Sequence, residues 1–268
     1  MKGTSPVKGF TIAVAGKGGT GKTLVSALLV RDQRKHGAVL AIDADPDANL
    51  AAALGLPPEK HPAPLSQMRE LIAERTGSSE GYGGYFKLNP RVDDIPDTYA
   101  AHVGHIRLLV LGGVEKGGGG CICPATVLVK ALLSHLILAR DDALVMDMEA
   151  GIEHLGRATG ESMDAMLVVI NDSAWSLQTA ARIQTLAAQV GVGRLYAVAN
   201  QIAPETDLDA LRNALGEIPL IGQLPFDPKL RSGALRLGND GSARPTDAAE
   251  AHMPAIEEIL AKLQIAIG

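Results

Sequence analysis

The chain has 268 residues, of which 46% are hydrophobic and 21% charged, a balance that excludes a disordered polymer and allows a sizeable core. A net charge of −5 and only 3% aromatic residues argue against nucleic-acid binding by charge or by stacking. No apolar run approaches the ~20 residues of a membrane-spanning helix, and Met1 to Lys8 carry no apolar signal segment, so a cytoplasmic protein with no membrane or nucleic-acid partner is expected.

The first element is an apolar run, Phe10 to Val14, that reads as a buried strand. It leads into Ala15-Gly16-Lys17-Gly18-Gly19-Thr20-Gly21-Lys22-Thr23, and a helical segment follows. The spacing G-x-x-x-x-G-K-T between strand and helix is that of a phosphate-binding loop. Gly18, Gly19, Thr20 and Gly21 would bring backbone N–H groups onto phosphate oxygens, at the positive end of the helix. Lys22 would reach the β- and γ-phosphates, and the Thr23 hydroxyl would ligate magnesium.

Further short apolar runs recur at residues 38–42, 106–111, 143–146, 166–170, 195–199 and 220–222, besides 11–15. Most are apolar on both faces, as strands covered by helices on each side must be. Helical patterns lie between and after them, at 24–35, 64–75, 124–140, 175–190 and 248–267, with Gly37, Gly77 and Gly191 as stop signals. The alternation predicts an α/β fold, a mostly parallel doubly wound sheet of about seven strands, in one domain spanning residues 1–268. Residues 77–105, rich in Gly and Pro and without periodicity, read as a long excursion within it.

Lys17, one residue after the first loop glycine, completes K-G-G-T-G-K-T. With that second lysine the loop resembles the deviant Walker A group of ATPases, which runs from nitrogenase iron protein to the septum-site and partitioning ATPases. The resemblance implies a dimer in which Lys17 crosses to the partner's nucleotide. It also gives roles to acids at strand ends. The second strand ends in Asp43-Ala44-Asp45-Pro46-Asp47, which would be switch I. There Asp45 would orient the attacking water, and Asp43 would help hold the magnesium shell or Lys22. A later apolar run ends in Asp147, the Walker B arrangement, placing this carboxylate on a magnesium-bound water. In the wider group an asparagine like Asn200, beside Gln201, bonds the adenine ring, and Leu224-Pro225-Phe226-Asp227 resembles the segment that closes over the base. No guanine-reading N-K-x-D motif is seen, so ATP is expected over GTP.

The two cysteines, Cys121 and Cys123, follow four glycines and precede Pro124, which suits the first turn of a helix and puts Cys123 at its N-cap. Cysteines one residue apart seldom close a disulfide. Two thiolates are too few for zinc or nickel, which take about four ligands with sulfur donors. The same pair from a second subunit would complete the set.

This stretch, residues 112–131, resembles the CooC-type ATPases that help insert nickel into carbon monoxide dehydrogenase. So do residues 86–97 and 148–157. The resemblance implies ATP hydrolysis and a homodimer that holds Ni2+ or Zn2+ at its interface through paired Cys121 and Cys123, with carbon monoxide dehydrogenase as client. A relative serving acetyl-CoA synthase would carry the same motifs. An electron-transfer ATPase like nitrogenase iron protein, with an interfacial iron–sulfur cluster, is the alternative. His154, near Ala150-Gly151, which would be switch II, is a further candidate for linking the two sites.

Overall fold

The computed structural model describes residues 10–78, 86–113, 123–139, 142–151, 155–229, 235–237, 243–245 and 247–267. Among the described residues eight strands share one sheet: β1 (Thr11–Gly16), β2 (Val39–Ala44), β3 (Ala101–Val103), β4 (Ile106–Val110), β5 (Ala143–Met148), β6 (Ala165–Ile170), β7 (Leu195–Ile202) and β8 (Leu220–Pro225). Their order is β3-β4-β2-β5-β1-β6-β7-β8. Every neighbouring pair is parallel except β3 on β4. A separate antiparallel pair joins β9 (Leu235–Leu237) to β10 (Ala243–Pro245).

The helices are α1 (Lys22–Gln33), α2 (Leu50–Ala53), α3 (Arg69–Thr76), α4 (Ile95–Tyr99), α5 (Pro124–Ala139), α6 (Arg157–Glu161), α7 (Ala174–Gln189), α8 (Leu208–Leu215) and α9 (Asp247–Ile267). Strand alternation sorts the core into two layers. On one face Ala13, Met146 and Val168 meet Leu128 and Leu132 of α5 and Ile183 of α7. On the other, Ile12, Val14, Val145 and Leu167 meet Leu28 and Leu29 of α1 and Ile256 and Ile259 of α9. Each fully buried aliphatic side chain contributes roughly 1.5–3 kcal/mol. Among the described residues no helix is long and apolar enough to cross a membrane.

All seven expected strands are present, and the sheet gains one more. β3 is a three-residue edge strand with one buried side chain, too short to leave a sequence signal. Among its described residues, the 77–105 excursion carries α4 and β3. Arg75 on α3 forks onto both carboxylate oxygens of Asp94, at 2.9 and 2.6 Å, and so ties the start of α4 to the sheet's flank.

The helix expected at 64–75 is divided. A 3-10 turn, Leu65–Gln67, is pinned by the Ser66 N–H to the Leu111 carbonyl at 3.0 Å, and α3 starts after it. Gly77 stops α3 as expected, with φ 68°. Gly37 does not stop α1, which ends earlier and unwinds through Arg34, Lys35 and His36.

Candidate nucleotide-binding site

β1 delivers Gly16 into the loop that opens α1. A Cβ at Gly16 would lie 2.5 Å from the Val169 carbonyl oxygen of β6, so the loop can leave the sheet here only through glycine. Gly19 and Gly21 take φ 87° and 83°, the left-handed region that suits glycine. The Thr20 N–H and hydroxyl both donate to the Lys17 carbonyl, at 3.2 and 2.8 Å, and close the loop. Lys17, Gly18 and Gly19 are exposed. No side chain caps α1 at Gly21. The N–H groups of its first turn therefore remain available to an anion.

The strand register brings the acids to this loop. Asp43 on β2 pairs with Asp147 on β5, and Asp147 pairs with Val14 on β1. Both carboxylates are fully buried. Asp43 accepts the Leu50 N–H at 2.8 Å and the Asp45 N–H at 3.1 Å. Asp45 accepts the Asp47 N–H at 3.0 Å and pairs with Lys22, Oδ2 to Nζ 2.7 Å. Asp147 Oδ1 lies 3.2 Å from the Ser26 hydroxyl, which also sits 2.9 Å from the Lys22 carbonyl. Asp147 Oδ2 is buried and has no hydrogen-bond partner among the described residues.

These placements set the charges. Burial pushes the Asp147 carboxyl up to about 7, with help from Asp43 and Asp45, against the Thr23 hydroxyl and Lys22, which pull it down. Burial likewise lifts Asp43 to about 6, against the Leu50 and Asp45 amides and Lys22, while the charge of Asp45 adds to the rise. Burial acts to lower Lys22, but the hydrogen bond and charge of Asp45, with Asp147 and Glu149 behind it, outweigh that and raise it. The site is thus short of positive charge. Its donors are an orphaned carboxylate oxygen, a threonine hydroxyl and further carboxylates, the hard oxygen set that magnesium takes. The residues fit that ion.

Asn200 and Gln201 end β7 against the same loop. The Asn200 amide donates to the Thr20 carbonyl at 2.8 Å, and the Gln201 amide to the Gly19 carbonyl at 3.1 Å. Their nearest contacts are therefore with the loop backbone, a relation their sequence position alone did not reveal. Pro225 ends β8 opposite Ile202 and is exposed. No sequence motif singles out Ser26, whose hydroxyl faces Asp147. Its only cue is its place one helical turn after Lys22.

Cys123 stands at the head of α5. Its sulfur accepts the Thr126 N–H at 3.4 Å and lies 2.9 Å from the Thr126 hydroxyl, an N-cap made by a thiol. Cys121 and His154 lie outside the described residues. The approach to the cysteines touches the acid turn at two points. The Leu111 N–H donates to the Asp43 carbonyl at 2.8 Å. A Cβ on Gly113 would come within 3.1 Å of the Pro46 ring.

Comparison with known proteins places the chain in a family and matches its fold. The profile of the CobQ/CobB/MinD/ParA nucleotide binding domain matches residues 11–237. The carbon monoxide dehydrogenase accessory protein CooC of Rhodospirillum rubrum is 45% identical over 224 residues, covering 82% of this chain and 85% of that one. An ATP-binding protein of Methanocaldococcus jannaschii is 44% identical over 224 residues, covering 82% and 86%. The cell division protein MinD of Aquifex aeolicus has the same fold, with a TM-score of 0.65 at 21% identity, covering 96% of this chain and 97% of that one. The septum site-determining protein MinD of Pyrococcus horikoshii, solved with Mg-ADP, gives 0.61 at 21% identity, covering 97% and 98%. The chain therefore belongs to the CobQ/CobB/MinD/ParA family of nucleotide-binding domains, within its CooC-type group.

Proposed function

We propose that the chain, acting as one domain, is an ATP-hydrolysing accessory factor that delivers Ni2+, or Zn2+, to carbon monoxide dehydrogenase. The observation that carries the nucleotide half of this reading is the convergence of Lys22, Asp45 and Asp147 at the foot of an uncapped phosphate loop. The likeness to CooC supports the client half.

In this reading the backbone of Gly18, Gly19, Thr20 and Gly21 holds the phosphates, and Asn200, Gln201 and Pro225 flank the base. Thr23, Asp43 and Asp147 would hold magnesium, which when bound would supply positive charge to the phosphate oxygens. Lys22 turns from Asp45 to the terminal phosphates. That move releases the Asp45 carboxylate, which then orients the attacking water. Lys17, exposed on the loop, reaches across to the nucleotide of a second subunit.

The same two subunits bring Cys121 and Cys123 together with their counterparts, giving four thiolates for the cargo metal. Coupling between the two halves runs through Asp43 and Pro46, which touch the segment leading to the cysteines. Residence in the cytoplasm, where thiols stay reduced, suits such a site.

The test is phosphate release from Mg–ATP together with metal uptake. Wild-type protein is expected to hydrolyse ATP, and Lys22→Ala to lose that activity. The Cys121→Ala/Cys123→Ala variant is expected to keep hydrolysis and lose the metal. Equal nickel uptake by the double variant would refute the metal assignment.

A further inference from the structure

Successive side chains of a strand point to opposite faces. The end of β7 departs from that rule. Its register with β8 slips between Ala199 and Ile202, and Gln201 takes φ 61°, a conformation that residues other than glycine adopt seldom. The irregularity re-aims the chain, as bulges do beside functional sites. As a result two consecutive side-chain amides reach the same loop: Asn200 binds the Thr20 carbonyl and Gln201 the Gly19 carbonyl.

Asn200 is buried, and a Cβ on Gly21 would come within 2.2 Å of its amide nitrogen, so strand end and loop are fitted closely. The consequence is directional. A trans peptide is planar, with its N–H opposite its C=O. Anchoring the Thr20 carbonyl on Asn200 therefore aims the Gly21 N–H away from β7. Anchoring the Gly19 carbonyl on Gln201 aims the Thr20 N–H at the Lys17 carbonyl, the bond that closes the loop.

We propose that Asn200 and Gln201 are positioning residues for the phosphate loop, fixing the orientation of its peptide units so that they favour any polyphosphate whatever base it carries. This rests on the nucleotide reading of the site. It differs from base recognition, because an adenine-reading pair would matter only when adenine is present. The unfavourable φ of Gln201 then has a purpose: it lets a second amide reach a second carbonyl.

The experiment is calorimetric binding of Mg–ATP, Mg–GTP and Mg–tripolyphosphate to wild type, Gln201→Gly and Asn200→Ala. Gln201→Gly is the informative change, since glycine accepts the left-handed conformation and only the amide is lost. Losing one neutral hydrogen bond is expected to weaken all three ligands by the same factor, about 3- to 10-fold. The thermal midpoint of Gln201→Gly should be unchanged or higher, which separates loop positioning from a merely structural role. Weakening confined to Mg–ATP, with tripolyphosphate unaffected, would overturn the proposal and leave Asn200 and Gln201 as base readers. Unchanged affinity for all three would overturn it as well. Failure of wild type to bind any of the three would instead overturn the nucleotide reading on which it rests.

Discussion

Replacing Asp147 by Asn should stabilise the metal-free protein at neutral and alkaline pH, although it removes a residue the site needs. The reasoning starts from burial. The Asp147 carboxylate is fully buried, one of its oxygens has no hydrogen-bond partner among the described residues, and its carboxyl is pushed from an ordinary 3.8 to about 7. The unfolded chain therefore releases this proton near pH 4, whereas the folded chain keeps it until about pH 7. Between those values the folded state binds more protons, so stability falls as pH rises and levels off above pH 7. A span of roughly 3 pH units at ~1.4 kcal/mol each sets the loss at ~4 kcal/mol. Asp43, raised to about 6, adds a loss of the same sign over a narrower window. Asp147→Asn carries no charge and escapes its share. Urea unfolding followed by circular dichroism, in EDTA, from pH 4.5 to 8.5 would measure this. The variant should match wild type near pH 4.5 and exceed it by about 2–4 kcal/mol at pH 8. Added magnesium should narrow the gap by stabilising wild type alone. A variant no more stable than wild type at pH 8, or a gap independent of pH, would refute the reasoning.

Other substitutions probe other contacts. Asp45→Asn frees Lys22 from its 2.7 Å partner, so ADP should bind a few-fold more tightly by calorimetry while phosphate release falls about 100-fold or more. Cys123→Ser keeps an N-cap acceptor for the Thr126 N–H and should retain wild-type thermal stability while losing nickel; Cys123→Ala should lose nickel and also ~1 kcal/mol of stability. Gly113→Val crowds the Pro46 ring, so ATP binding should persist while the dependence of metal uptake on nucleotide, read by equilibrium dialysis, weakens several-fold.

Much of the fold could be read from residues because β1, β2, β5 and β6 are buried along nearly their whole length and appear as apolar runs interrupted only near their ends, by Thr11, Asp43 and Asp147. The phosphate loop was legible for a different reason. Its glycines answer local backbone demands, such as φ 83° at Gly21, that no other residue meets cheaply. What escaped depends on partners distant in sequence. β3 exists only because β4 offers it an edge. The division of the 64–75 segment follows from a bond to Leu111, a residue of another strand's end. The sequence points Asn200 and Gln201 toward the adenine ring, but their bonds to Thr20 and Gly19 span the chain from β7 back to the loop after β1 and depend on the irregular backbone at Gln201. Ser26 acquires its place against Asp147 only when α1 packs over β5.

The account turns on two subunits jointly enclosing one cargo ion when the triphosphate is bound. Its most direct measurement is light scattering with in-line metal analysis, on protein given nickel and either ADP or a non-hydrolysable ATP analogue. The account predicts a dimer carrying one nickel per two chains with the analogue. A single chain under both nucleotides, or a full nickel ion on each separate chain, would contradict it.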